Sequence, residues 1–295
     1  MRGASPPVFD AALVRRQVRA FGRAHDRQTY LRTFKLYAPY HPAGPHPGVR
    51  IARDIAYGPD ERNLLDLFLP AGGGRDLPVL IYIPGGAFVR GQRQLPALPF
   101  FDNIVLWAAQ HGMAGVNMIH RLGPAHRWPA CNEDMARLVG WIRANAAAHR
   151  LDARRIYAMG PSSGAAIIAN YIAHEQFHAD GGPGIAAAIL ISGAYDPHTT
   201  EYYGEDRERW PAMSALPKFF DVKLPVLVTT AENDPPPRDE QAMKMIHGLM
   251  RRDGRFPWYQ RLWGHNHVSA MLHIGLEPGD QLGDLILDFL ATEAQ

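Results

Sequence analysis

The chain has 295 residues, 46% apolar and 20% charged, with a formal net charge of +2. A chain of this length can bury a core without covalent staples, its composition is that of a globular protein, and its balanced charge gives no footing for nucleic-acid binding. The lone cysteine, Cys131, excludes an intrachain disulfide, a cysteine-based zinc cage and a c-type haem site. No apolar run approaches the ~18 residues that would argue for a transmembrane helix. Residues 1–7 lack the apolar stretch of a secretory leader, so the expectation is a soluble cytoplasmic protein without stable membrane insertion.

The first forty residues differ from the rest. After Asp10, a good N-cap residue, Leu13, Val14, Val18 and Phe21 fall on one helical face, while Arg15, Arg16, Arg19, Arg23 and Arg27 fall mostly elsewhere. A second apolar cluster follows at Tyr30, Leu31, Phe34 and Tyr37. One reading is a basic amphipathic helix on a membrane surface. The other, favoured because the apolar face is short, is a helical arm with a solvated face packed over the main domain. Residues 41–48, rich in proline and glycine, read as a linker. The expected division is therefore an N-terminal arm or cap with its linker over 1–48, and a catalytic domain over 49–295.

Strands are expected at 49–57 and 64–69 around a Gly58-Pro59-Asp60 turn, and at 78–83, where a continuous apolar run suits a strand buried on both faces. Further strands are expected at 114–119, 156–159, 186–191, 226–230 and 258–262. Helices are expected at 131–149, 163–177, 239–250 and 280–291. Such alternation implies an α/β fold, with a mostly parallel central sheet covered on both faces.

Gly160-Pro161-Ser162-Ser163-Gly164 lies between a predicted strand and a predicted helix. A nucleophilic serine on such a turn needs small residues two positions either side, so that neighbouring backbones can approach. The helix N-terminus favours developing negative charge. The alternative is an ordinary serine N-cap. A serine also needs a base, and the base an orienter. In an open parallel sheet these gather beyond the carboxyl ends of strands. After the 226–230 strand comes Asp234, with Glu232 as its rival; after the 258–262 strand come His265 and His267. A metal site on His265, His267 and His273 is the competing reading, but no H-E-x-x-H pattern supports it. Oxyanion donors are expected from the glycine turn Pro84-Gly85-Gly86-Ala87-Phe88 and from the Ser163 N–H.

In combination these stretches resemble the hormone-sensitive-lipase-like and BD-FAE-like carboxylesterase branch of the α/β-hydrolase superfamily, which lies close to kynurenine formamidases. The resemblance covers about residues 50–295. It rests on Tyr57-Gly58-Pro59-Asp60, Leu64-Leu65-Asp66-Leu67-Phe68-Leu69-Pro70, the Pro84 loop, His120-Arg121-Leu122-Gly123-Pro124-Ala125-His126, the Ser162 motif, Glu232-Asn233-Asp234-Pro235 and Gly264-His265-Asn266-His267. The order serine, acid, histidine is that of α/β-hydrolases. The resemblance implies an α/β-hydrolase fold with Ser162 as nucleophile, Asp234 as acid and His267, rather than His265, as base. It places the oxyanion donors on Gly86 and Ala87. The sequence departs from the family loop, H-G-G-G, at Pro84 and at Ala87; where that third glycine takes a positive φ, Ala87 carries strain.

The function expected is hydrolysis of small-molecule esters through an acyl-enzyme, without metal or organic cofactor. Phe88, Trp128, Tyr195, Phe219, Phe220 and Trp263 are candidate pocket walls, although aromatics at such positions are as often plain core. The arm is expected to form part of a lid or pocket wall. Alternatives are an arylformamidase or lactone hydrolase with the same triad, or a non-catalytic ligand receptor. A homodimer stays open. No G-x-G-x-x-G follows a strand, which argues against dinucleotide binding.

Overall fold

Eight strands form one sheet in the computed structural model, which describes residues 6–95, 97–179, 181–216 and 218–294. The first five residues, part of the stretch read as lacking a leader, lie outside these. The strands are β1 (Val49–Ala56), β2 (Leu64–Pro70), β3 (Leu77–Tyr82), β4 (Ala114–Met118), β5 (Leu151–Pro161), β6 (Ala187–Ile191), β7 (Val226–Asn233) and β8 (Trp258–Asn266). Their order is β1-β2-β4-β3-β5-β6-β7-β8. β1 and β2 run antiparallel to their neighbours, and every pair from β4 to β8 is parallel. All eight expected strands are present. β5, β7 and β8 outrun their apolar cores, because ladder pairing carries polar residues too: Asn233 pairs with Asn266 beyond a register shift.

Strand alternation divides the core. Val79 and Ile81 point into a cluster with Met135, Leu138 and Ile142 of α4 (Ala130–His149), with α5 (Ser163–Ala173) and with α8 (Pro236–Asp253). Leu80 and Tyr82 point into the opposite cluster, with α3 (Asp102–Gln110) and α10 (Gln281–Glu293). The sequence reading missed α3. Ile104 through Ala109 are all buried, so the helix has no polar stripe to give it a 3.6-residue period. Two one-turn helices, α6 (Thr200–Tyr203) and α7 (Trp210–Met213), follow β6, and α9 (Ser269–His273) follows β8.

The arm is two helices, α1 (Ala11–Phe21) and α2 (Arg27–Tyr37). Asp10 caps the first by accepting the Leu13 N–H at 2.9 Å, and Asp26 caps the second through Thr29 at 2.7 Å. Of the expected α1 face only Val14 and Val18 are buried; they join Tyr37, Phe100, Leu272 and Leu276 in a third cluster, while Leu13 stays exposed. Arg16, Arg19, Arg23 and Arg27 are exposed, and three arginines of the arm also tie it to the body. Arg15 donates to the Gly279 carbonyl at 2.8 Å, Arg19 pairs with Glu232, and Arg23 binds both Asp239 and the Asp234 carbonyl at 2.7 Å. A short apolar face thus suffices, because polar anchors to the body supplement it. No helix of the described residues is long and apolar enough to cross a membrane.

Candidate active site

The nucleophile elbow is built by close backbone approach. A Cβ on Gly160 would lie 2.7 Å from the Gly164 carbonyl carbon, and one on Gly164 would lie 2.2 Å from the Ile83 carbonyl oxygen. Neither position tolerates a side chain, which is why both are glycine. Between them Ser162 is held at φ 54°, ψ −118°, outside the ordinary regions for an L-residue. Its N–H donates to the Ile191 carbonyl at 2.8 Å, so the ladder with β6 enforces the conformation. Ser162 is half-buried.

Beyond the carboxyl ends of the next three strands a polar chain assembles. Asp234 is fully buried, and its Oδ1 faces His267 Nδ1 at 2.7 Å. Its Oδ2 accepts the Ser192 hydroxyl at 2.6 Å and the Ala231 N–H at 2.7 Å. Burial alone would raise this carboxyl, but the bond to His267 and its charge, with Ser192 and Ala231, hold it below the usual carboxylate range. With Nδ1 occupied, His267 leaves its Nε2 buried and without a hydrogen-bond partner among the described residues. Such a nitrogen can accept a proton from a group brought to it.

The rivals fall elsewhere. Glu232 accepts Arg19 and the Gly264 N–H, so it anchors α1 to β8. His265 is buried with its Nδ1 on the Ser269 hydroxyl at 3.0 Å, and burial holds it well below the ordinary histidine range. Its ring packs 5.3 Å from that of His273. Among the described residues no group of three or more side chains could hold a metal ion.

The loop after β3 has Gly86 at φ 144°, Ala87 at φ 54° and Phe88 at φ 64°. The position that the resemblance gives to the third family glycine takes a positive φ in this chain, and Ala87 and Phe88 are both strained. The loop closes through Arg90 N–H to the Gly86 carbonyl at 2.9 Å, where a Cβ on Gly86 would lie 2.1 Å from the Arg90 oxygen. No hydrogen bond among the described residues occupies the N–H groups of Gly86, Ala87 or Ser163. The loop touches the elbow directly, since a Cβ on Gly85 would lie 3.4 Å from that of Ser162.

The expected pocket aromatics separate. Phe88 is 1% exposed and stacks on Tyr202 with 4.3 Å between ring centres. Trp128 is half-buried, edge-on to His174. Tyr195 is fully buried, its hydroxyl without a partner among the described residues. The other three are placed in the core or on the surface. Phe219 is fully buried in the core, and Phe220 packs against Gly248, where an added Cβ would meet its ring at 1.9 Å; both serve packing. Trp263 is 54% exposed beneath Arg261, because alternation along the edge strand β8 turns it outward.

Sequence reasoning missed three residues here. Ser192 directly follows the apolar run of β6, a position at the carboxyl edge where it could have been sought. His25 and Tyr30 come from the arm. The His25 ring packs edge-on to His267 at 4.8 Å, the Tyr30 ring stacks over His267 at 6.4 Å, and the Tyr30 hydroxyl bonds His25 Nδ1. Burial, then the neighbouring His267 and Arg238, push His25 down to about 4. No local pattern signals the contacts with His267, which span more than two hundred residues of chain.

The BD-FAE family model matches residues 65–183. Esterase LipQ from Mycobacterium tuberculosis is 32% identical over 166 residues, 53% of this chain and 38% of its own length. Phenmedipham hydrolase from Pseudarthrobacter oxydans is 30% identical over 213 residues, 67% of this chain and 40% of its own. The chain thus spans about two fifths of these curated relatives. A solved esterase of the bacterial hormone-sensitive lipase family superposes with a TM-score of 0.69 at 19% identity, over 97% of this chain and 100% of that one. With the eight-stranded sheet these matches lead to one conclusion: the chain has the α/β-hydrolase fold and is similar to carboxylesterases, with residues 65–183 matching the BD-FAE family.

Proposed function

We propose that this protein is a serine carboxylesterase that hydrolyses small-molecule esters through Ser162, His267 and Asp234. His267 Nε2 takes the Ser162 proton as the oxygen attacks the ester carbonyl. The N–H groups of Gly86, Ala87 and Ser163 receive the oxyanion, and Asp234 orients His267 and stabilises its cationic form. The alcohol leaves with the proton from His267. Water then attacks the acyl-enzyme by the same steps and releases the acid. No part of this sequence calls for a metal or an organic cofactor.

The observation that carries the reading is the bond from His267 Nδ1 to Asp234 Oδ1 at 2.7 Å, with the second carboxylate oxygen fixed by Ser192 and Ala231. A buried carboxylate and imidazole so arranged, beyond the carboxyl ends of strands beside a strained serine elbow, suit acyl transfer. The esterase relatives agree with it. Ser162→Ala should abolish turnover of p-nitrophenyl butyrate and labelling by a fluorophosphonate. Wild-type rates in that variant would end the proposal.

A further inference from the structure

A cavity of about 300 Å³ adjoins the His267–Asp234 pair, lined by His25 of the arm, Asp196 and His198 after β6, and Pro235, Arg238 and Gln241 at the start of α8. His25 belongs both to its wall and to the ring contact on His267. Arg238 is the feature that local structure leaves unexplained. Among the described residues it is the one arginine that is not exposed and has neither an ion pair nor a side-chain hydrogen bond. Burial makes its charge costly, and it sits in the first turn of α8, where the helix dipole disfavours a cation.

The nearby carboxylates are already engaged. Asp196 accepts Ser214 at 2.8 Å, Lys244 at 2.6 Å and Gln241 at 3.1 Å. Asp239 pairs with Arg23, and Glu232 with Arg19. Both oxygens of Asp234 are taken by His267, Ser192 and Ala231. The two histidines of the wall offer no competing cation at neutral pH: burial holds His198 below the usual range and His25 near 4. Arg90, exposed and likewise without an ion pair among the described residues, adds positive field at His25 and Tyr30. A half-buried guanidinium fork lacking a partner matches a planar monoanion, and one cation balances one negative charge.

We infer that this cavity receives the free carboxylate of an acidic ester, a substrate carrying –COO⁻ at the far end of its acyl or alcohol portion, with Arg238 as its partner. Arg238 is then a specificity-determining residue for the esterase reading, on which the inference rests. The expected preference is for half-esters of dicarboxylic acids over neutral esters of equal length.

The test compares mono-p-nitrophenyl adipate with p-nitrophenyl hexanoate in the wild type, Arg238→Gln and Arg238→Lys. The acidic-to-neutral ratio of kcat/KM should fall at least tenfold in R238Q, mainly through KM, and only a few-fold in R238K. Because the ratio is taken within one preparation, partial misfolding does not alter it. A ratio unchanged within twofold in R238Q overturns the inference and leaves the esterase reading standing. Binding of monomethyl adipate to the Ser162→Ala protein, measured by calorimetry, gives a second readout that needs no turnover. It should weaken at least tenfold when R238Q is added; no detectable binding before that change overturns the inference. If the wild type hydrolyses neither ester yet binds monomethyl adipate through Arg238, it is the esterase reading that fails.

Discussion

Asp234→Asn tests the proposed proton relay where the structure constrains it most. Oδ2 of Asp234 receives two donors, the Ser192 hydroxyl at 2.6 Å and the Ala231 N–H at 2.7 Å, whereas Oδ1 faces only His267 Nδ1 at 2.7 Å. An asparagine here must keep its carbonyl oxygen on the two donors, because turning the amide would set its NH2 against the Ala231 N–H. Its NH2 then faces Nδ1 of His267, which can only accept. The imidazole proton moves to Nε2, and the ring can no longer take a proton from Ser162. A wrong tautomer of this kind costs about 10⁴ in kcat, a barrier increase of about 5.5 kcal/mol. The cost to folding is smaller: charge-assisted bonds become neutral ones, a loss of about 1–3 kcal/mol. Steady-state kinetics on p-nitrophenyl butyrate, with a melting curve, separates the two. The expected result is a kcat about four orders lower with KM little changed. A folded variant with kcat within tenfold of wild type refutes the assignment of Asp234 and the tautomer argument together.

Two further outcomes follow from strain and burial. Ala87 is exposed and sits at φ 54°, so Ala87→Gly relieves left-handed strain that outweighs the greater freedom of glycine in the unfolded chain. It should stabilise by about 1 kcal/mol or less, and a clear loss in chemical denaturation would contradict this. His273 is 1% exposed, packs edge-on to Phe9, and has neither ring nitrogen bonded among the described residues; burial first, then Arg15 and His41, push it from 6.5 to about 3. The unfolded chain binds that proton below pH 6.5 while the folded protein does not, so stability is lost as pH falls, by about 2 kcal/mol at pH 5. His273→Phe should remove about that much of the pH 7-to-5 loss in urea unfolding. Asp280, raised by burial to about 6, acts in the opposite sense below that pH in both proteins and cancels in the difference. Equal losses in the two would contradict the account.

Much of this molecule is legible without coordinates. Continuous apolar runs mark the strands of a parallel sheet, because such strands are buried on both faces and need no polar alternation. The Gly160 to Gly164 elbow is legible because the close approach of backbones excludes every side chain, leaving a signature in residue type. Asking what lies beyond each strand's carboxyl end, a question of topology, narrows the candidates to Asp234 or Glu232 and to His265 or His267; the choice of His267 rests on the family resemblance. Helix α3 was not legible, since a helix buried all round has no period to detect. The pocket was not legible either. Phe219 and Trp263 are equally aromatic in the sequence, and only packing makes one core and the other surface. What the fold alone decided is everything carried across the gap between the arm and the body. That covers His25 and Tyr30 against His267, Arg19 on Glu232, and the isolation of Arg238 amid carboxylates that are already engaged. Contacts of this kind are set by which surfaces dock in three dimensions, and they leave no local periodicity or spacing along the chain.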